Sequence, residues 1–208
     1  MTNKIRSLLL GSLVLCSSVA NAVVIEFDDY KTSFTQFTFR NIVDVMPGVD
    51  LNIEAAVFSN NSSVITDVDT GNSNNRRLGL LDDDGLGVVG INTDQGGRVD
   101  GNSGNDLLIF TFSRAVMFTG IGFTDFGNSD DFEFGLIEGN MFNRILSNED
   151  VSQDVSFSGY YGTTFGVGAV QSNDSFRLSS ISVVSAPATL ALFAICLAAL
   201  GLRKRALK

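Results

Sequence analysis

The densest run of chemistry-bearing side chains is Asp82-Asp83-Asp84-Gly85. Ca2+ is a hard cation that collects carboxylate, amide and carbonyl oxygens, and a tight acidic turn offers them close together. Asp94, Asp100, Asn102, Asn105 and Asp106 follow on nearby loops and are candidates to complete a shell. Asp82, Asp83 and Asp84 are therefore candidate metal ligands, with Ca2+ as the candidate cofactor. The EF-hand spacing is not met: with Gly85 as its glycine, Leu80 falls at the first ligand position and Ile91 at the last. A solvated acidic loop is the plainer reading of the same residues. A second acidic run, Asp130-Asp131-Phe132-Glu133, reads as the start of a strand with Glu133 outward.

Gly85-Leu86-Gly87-Val88-Val89-Gly90 matches G-x-G-x-x-G. A dinucleotide site needs a strand before that motif and a helix after it, whose N-terminus receives the pyrophosphate. Three carboxylates precede it here and no helical pattern follows, so it reads as a glycine-rich turn. Tyr160-Tyr161, with Phe165 nearby, reads as core packing or a loop anchor, with stacking on a sugar ring as the alternative. The Asn-x-Ser/Thr sequons at Asn60, Asn61 and Asn173 are expected by chance in so Asn- and Ser-rich a chain. There is no histidine, and both cysteines, Cys16 and Cys196, lie in apolar terminal runs. This excludes the common zinc sites, cysteine nucleophiles and Ser-His-Asp triads from the middle of the chain. No catalytic residue is assigned. A carboxylate-based hydrolase would have to draw its pair from 23 acidic residues that the sequence does not rank.

The elements that must position these residues are strands. Phe37 and Phe39, Phe110 and Phe112, and Phe132, Phe134 and Leu136 each alternate with small or polar residues. That period of two marks a strand with one face on a core. Strands are predicted at Val23–Phe27, Phe34–Asn41, Leu51–Phe58, Val64–Val68, Leu78–Leu81, Leu107–Phe112, Val116–Phe123, Phe132–Glu138, Val151–Phe157 and Phe176–Val184. Leu107–Phe112 and Val116–Phe123 read as a hairpin through Ser113, Arg114 and Ala115, and Arg144 to Asn148 as a turn. Asn60 to Asn75 is largely polar and has room for a long mobile loop. Many short strands with Asn/Asp/Gly turns and no helical stretch predict a single all-β domain, a jelly-roll-like β-sandwich.

Both ends differ from this domain. Lys4 and Arg6 precede an apolar run from Leu8 to Val19, and Ala20-Asn21-Ala22 places small residues at the −3 and −1 positions of a signal-peptidase site. Residues 1–22 are thus expected to be a signal peptide cut before Val23. At the other end, Ala188 to Leu202 is apolar apart from Thr189, and Arg203, Lys204 and Arg205 follow at once. This predicts a short transmembrane helix, below the roughly 20 apolar residues of a comfortable span, with its basic tail in the cytoplasm. Between these ends fall all 23 acidic residues but only Lys31, Arg40, Arg76, Arg77, Arg98, Arg114, Arg144 and Arg177 of the basic ones. Residues 23–184 therefore carry a net charge of −15. Such a surface repels nucleic acid and anionic lipid.

Ser185-Ala186-Pro187, then Ala188-Thr189-Leu190, the apolar run and the basic cluster resemble the PEP-CTERM sorting signal, with Ser185 and Ala186 in place of the first Pro and the Glu. Leu78 to Gly127 is also similar to the β-rich exported domains of proteins that carry that signal. The resemblance implies that residues 185–208 are a sorting segment handled by an exosortase-type transpeptidase in a Gram-negative bacterium. It implies no chemistry for the domain. The expected partners are signal peptidase, that sorting enzyme and the inner membrane before processing, and the expected destination is the cell surface or the extracellular matrix. Three functions are in play: a non-enzymatic surface or matrix protein associated with exopolysaccharide, a calcium-dependent carbohydrate-binding module, and a carboxylate-based hydrolase.

Overall fold

A computed structural model describes residues 22–27, 32–34, 36–39, 46, 48–66, 77–81, 85–89, 97–102, 104–150 and 154–185. Every regular element among them is a strand: β1 (Ala22–Glu26), β2 (Thr32–Phe34), β3 (Gln36–Phe39), β4 (Leu51–Phe58), β5 (Ile65–Thr66), β6 (Arg77–Leu81), β7 (Gly85–Val89), β8 (Val99–Asp100), β9 (Asn105–Thr124), β10 (Asp131–Glu138), β11 (Met141–Asp150), β12 (Val155–Gly168) and β13 (Ser175–Ser185). All belong to one antiparallel sheet whose main path runs β11-β10-β12-β9-β13-β7-β6-β2, with β4 joining β9 and β1 joining β13. The described residues adopt the expected all-β, sandwich-like class.

The long strand β9 organises the sheet. Its first half pairs with β4, from Leu51↔Phe112 to Phe58↔Asn105. Its second half lies beside β13, where Thr119 Oγ1 donates to the Ser182 carbonyl at 3.1 Å. β12 follows it along the other edge, with register shifts between Ser156 and Tyr160 and between Gly162 and Thr164. Such irregularities bend a strand pair and sharpen its twist. The sheet can thus fold over a shared interior, where Phe27, at the end of β1, stacks on Phe110 of β9 with ring centroids 6.2 Å apart.

The expected hairpin at Ser113–Ala115 does not form: β9 runs straight through those residues. Ser113, Arg114 and Ala115 are exposed, which gives the polar break its hairpin look. None of them is a Gly, Asn, Asp or Pro able to reverse the chain tightly. Two bonds instead tie Ser113 to Asp50: its N–H donates to the Asp50 carbonyl at 2.9 Å, and its Oγ accepts from the Asp50 N–H at 2.8 Å. Gly85–Val89, expected as a turn, is strand β7. A Cβ on Gly87 would run into the Gly97 carbonyl, so that glycine serves close backbone approach, with Val88 N–H donating to the Arg98 carbonyl at 3.2 Å. Residues Arg144 to Asn148, expected as a turn, lie within β11.

Alternation sorts side chains into two cores. Leu51, Ile53 and Ala55 of β4 meet Phe112, Phe110 and Leu108 of β9 in the main core. Phe118, Phe134 and Phe165 cluster there, with centroids of Phe118 at 5.1 Å from Phe134 and 5.0 Å from Phe165. The opposite face of the same strands carries Ala56, Phe58, Leu107 and Ile109, which join Ile65 and Phe142 in a smaller second core. Burial on both faces explains why Leu107 to Phe110 reads as a continuous apolar run.

Candidate functional site

The second core is the base of an open cleft of about 700 Å3. Among the described residues four segments supply its walls: Asn60 to Ser63 between β4 and β5, Glu133 on β10, residues 141–144 and Ser147 on β11, and Val170-Gln171 after β12. Amides and hydroxyls make up much of its lining: Asn60, Asn61, Ser62, Ser63, Ser147 and Gln171; Asn143 borders it too, with its amide turned to Glu138 Oε2 at 3.3 Å. Below them Phe58 and Phe142 meet edge to face, with centroids 5.1 Å apart.

Arg144 sets the first wall. Its guanidinium donates to Asn60 Oδ1 at 3.0 Å and to the Asn60 carbonyl at 2.9 Å, and it stands 3.8 Å from Glu133 Oε2. The turn itself is shaped by backbone bonds from Ser63 N–H to the Ser59 carbonyl at 2.8 Å and from Phe142 N–H to the Ser63 carbonyl at 2.8 Å. Ser63 has a positive φ of 54° there, a conformation that costs a non-glycine residue and persists where the surroundings over-determine it.

Two buried aspartates set the far rim. Asp174 accepts from the backbone N–H groups of Gln171 at 2.7 Å and Val170 at 3.3 Å through one oxygen, and from Asp131 N–H at 3.1 Å through the other. Asp130 accepts from Gly127 N–H at 2.6 Å and Ser175 N–H at 3.2 Å. A carboxylate that satisfies several loop N–H groups replaces the ladder bonds that the loop lacks. Gln171 Nε2 then donates to Asp131 Oδ2 at 2.7 Å, which holds its amide at the cleft edge.

Glu133, expected outward, is 2 % exposed. Its face is the expected one, opposite Phe132 and Phe134. Here, however, that face is covered by the 60–63 turn and by Arg144 rather than by water, a tertiary effect that alternation cannot show. Tyr160 packs inward on Phe134, centroids 5.4 Å apart, while Tyr161 is 49 % exposed on the outer face of β12. Phe165 is wholly buried.

The strands on either side of the acidic run, β6 and β7, pair up to Leu81↔Gly85, and Asp82, Asp83 and Asp84 lie outside the described residues. So does Asp94. Of the residues expected to complete a shell, Asp100 accepts from Asn102 N–H at 2.8 Å, Asp106 accepts from Asp100 N–H at 3.2 Å, and Asn105 Nδ2 donates to the Phe58 carbonyl at 3.0 Å. Asp100 and Asp106 shape their own loop, and Asn105 ties the start of β9 to β4. Among the described residues no group of three or more His, Cys, Asp or Glu side chains is placed to hold a metal ion.

Of the processing residues, Ala22 is the first residue of β1 and Ser185 the last of β13. Ala20, Ala186, Pro187, Arg203, Lys204 and Arg205 lie outside the described residues, as does the apolar run Ala188 to Leu202. Among the described residues no helix is long and apolar enough to cross a membrane.

No family model and no curated protein matches the chain. Among solved structures it is similar to the family 32 carbohydrate-binding module (CBM) from C. perfringens NanJ in complex with galactose, at 15% identity and a TM-score of 0.31. That similarity covers 64% of this chain and 92% of the other.

Proposed function

We propose that this is an exported, non-catalytic surface protein whose β-domain holds a neutral, hydroxyl-rich glycan in the cleft between the 60–63 turn, β11 and Gln171. The observation that carries the reading is the lining itself. Amides and hydroxyls both donate and accept, which suits the paired donor and acceptor character of sugar hydroxyls. Among the described residues the cation in the lining is Arg144, which is engaged by Asn60 and stands beside Glu133. An acidic glycan would meet Glu133 and a domain of net charge −15, so charge favours a neutral ligand. Among the described residues Glu133 is the one carboxylate in the lining, whereas glycoside hydrolysis commonly sets two across the scissile bond. The ends of the sequence support export and surface sorting, with exopolysaccharide as the natural source of such a ligand.

The test is a glycan array probed with the purified protein, with Ca2+ and again with EDTA. Binding to neutral oligosaccharides in both conditions is the expected result. Binding that disappears in EDTA would transfer the site to a calcium-dependent module at Asp82, Asp83 and Asp84. Binding of acidic glycans alone would sink the proposal.

A further inference from the structure

β1 is the first strand of the domain and β13 the last, and they pair from Ala22↔Val184 through Val23↔Val183 to Glu26↔Ser180. The signal-peptidase cut expected from the sequence, between Ala22 and Val23, therefore falls inside a strand ladder. Val23 is 4 % exposed, Ile25 5 % and Phe27 2 %, all three in the main core. Val183 and Ile181 stand opposite the first two. Past the end of the strand the pairing is extended by Phe27 N–H, which donates to the Ser179 carbonyl at 2.9 Å.

An enzyme that cuts an extended segment engages its backbone groups as an added strand would, and takes the flanking side chains into pockets. Here the backbone around the scissile bond is paired to β13, and the Val23 side chain is in the core. The same residues cannot serve the fold and the peptidase together.

We infer that domain folding and signal removal compete for the Ala22–Val23 bond: cleavage precedes docking of β1 on β13, and a chain that folds first keeps its signal segment. The topology supplies the interval. The residues that pair with β1, Ser180 to Val184, are the last of the domain to emerge from the export machinery, so β1 stays unpaired until the rest of the domain has crossed. After the cut, the ladder retains its pairs from Val23↔Val183 to Glu26↔Ser180 and loses Ala22↔Val184. Val184, next to the head of the expected sorting segment at Ser185, is then without that neighbour. This inference rests on the reading of residues 1–22 as a signal peptide and is independent of the glycan cleft.

The experiment uses the full chain, folded in detergent micelles and incubated with purified signal peptidase, with the new N-terminus identified by mass spectrometry. The folded chain is expected to be cut at least about 100-fold more slowly than an Ile181→Asp/Val183→Asp variant, because opening of the ladder must come first. The variant presents the bond whether only β1 is released or the whole domain unfolds. As a second measurement, wild-type chain diluted from denaturant straight into peptidase is expected to give a burst of cleavage that stops as folding completes. Cleavage of folded wild type at the variant's rate would overturn the competition. Failure of both the variant and the chain diluted from denaturant to be cut between Ala22 and Val23 would overturn the signal reading and the inference with it.

Discussion

Arg144 joins three parts of the cleft through one planar group, bonding Asn60 at two oxygens and standing beside the buried Glu133. Arg144→Ala removes both bonds to the turn. It is expected to cost about 1–2 kcal/mol of stability and at least about tenfold in glycan affinity, measured by urea unfolding and by calorimetric titration. Arg144→Lys keeps the charge but cannot reproduce the fork, so it should recover stability better than binding. Gly166 makes a second demand, since a Cβ there would lie 2.7 Å from Phe142 Cε2. Gly166→Ala should displace that ring and lower stability by about 1–3 kcal/mol, read by the same unfolding experiment. None of this was legible in the sequence. Asn60 and Asn61 read only as chance sequons, and Arg144 reads as part of a turn. The residues that meet in the cleft come from four distant segments, and residue type alone does not bring them together. Glu133 was legible as to its face but not as to its burial.

At the scale of elements, strands with one clean alternating face were readable. The strand beginning near Phe132 falls where expected because Phe132, Phe134 and Leu136 repeat every second residue, and so does Leu51–Phe58, whose alternation at Leu51, Ile53 and Ala55 gives way to Ala56 and Phe58 on the opposite face. The failures share a cause. Strand β9 passes from one pairing environment to another, so its pattern breaks in the middle although its backbone does not. β7 is built from glycines and valines that a local reading assigns to a turn, and only its neighbours at Gly97 and Arg98 require it to be extended. The loops are also elements with their own logic. Asp174 accepts three backbone N–H groups, so Asp174→Ala should destabilise the fold by about 2–3 kcal/mol. Hydrogen exchange should then show the Val170 and Gln171 amides losing protection before those of β12. Equal loss across β12 and the rim would mean that the aspartate supports the whole sheet rather than its loop.

Over the whole molecule, the sequence made the class plain: an acidic all-β domain without histidine or cysteine between residues 23 and 184. Such a charge disfavours the compact state by self-repulsion, and salt screens it. Raising the salt from about 0.05 M to about 0.5 M should therefore raise the melting temperature. The affinity for a neutral glycan should change less than about twofold, because no net charge is transferred on binding. A steep loss of affinity over that range would point to an ionic ligand and away from the cleft as described.

The most direct measurement is a calorimetric titration of neutral oligosaccharides, in EDTA, into the wild-type protein and into an Asn61→Ala/Gln171→Ala variant. These two residues line the cleft from separate segments, and Asn61, exposed on the 60–63 turn, and Gln171, exposed at the rim, lie outside both hydrophobic cores. The account predicts saturable binding by the wild type and at least about a tenfold loss in the variant, with the melting temperature of the variant within a few degrees of wild type. Equal binding by both proteins would place the ligand elsewhere, and absence of binding by the wild type would contradict the glycan reading itself.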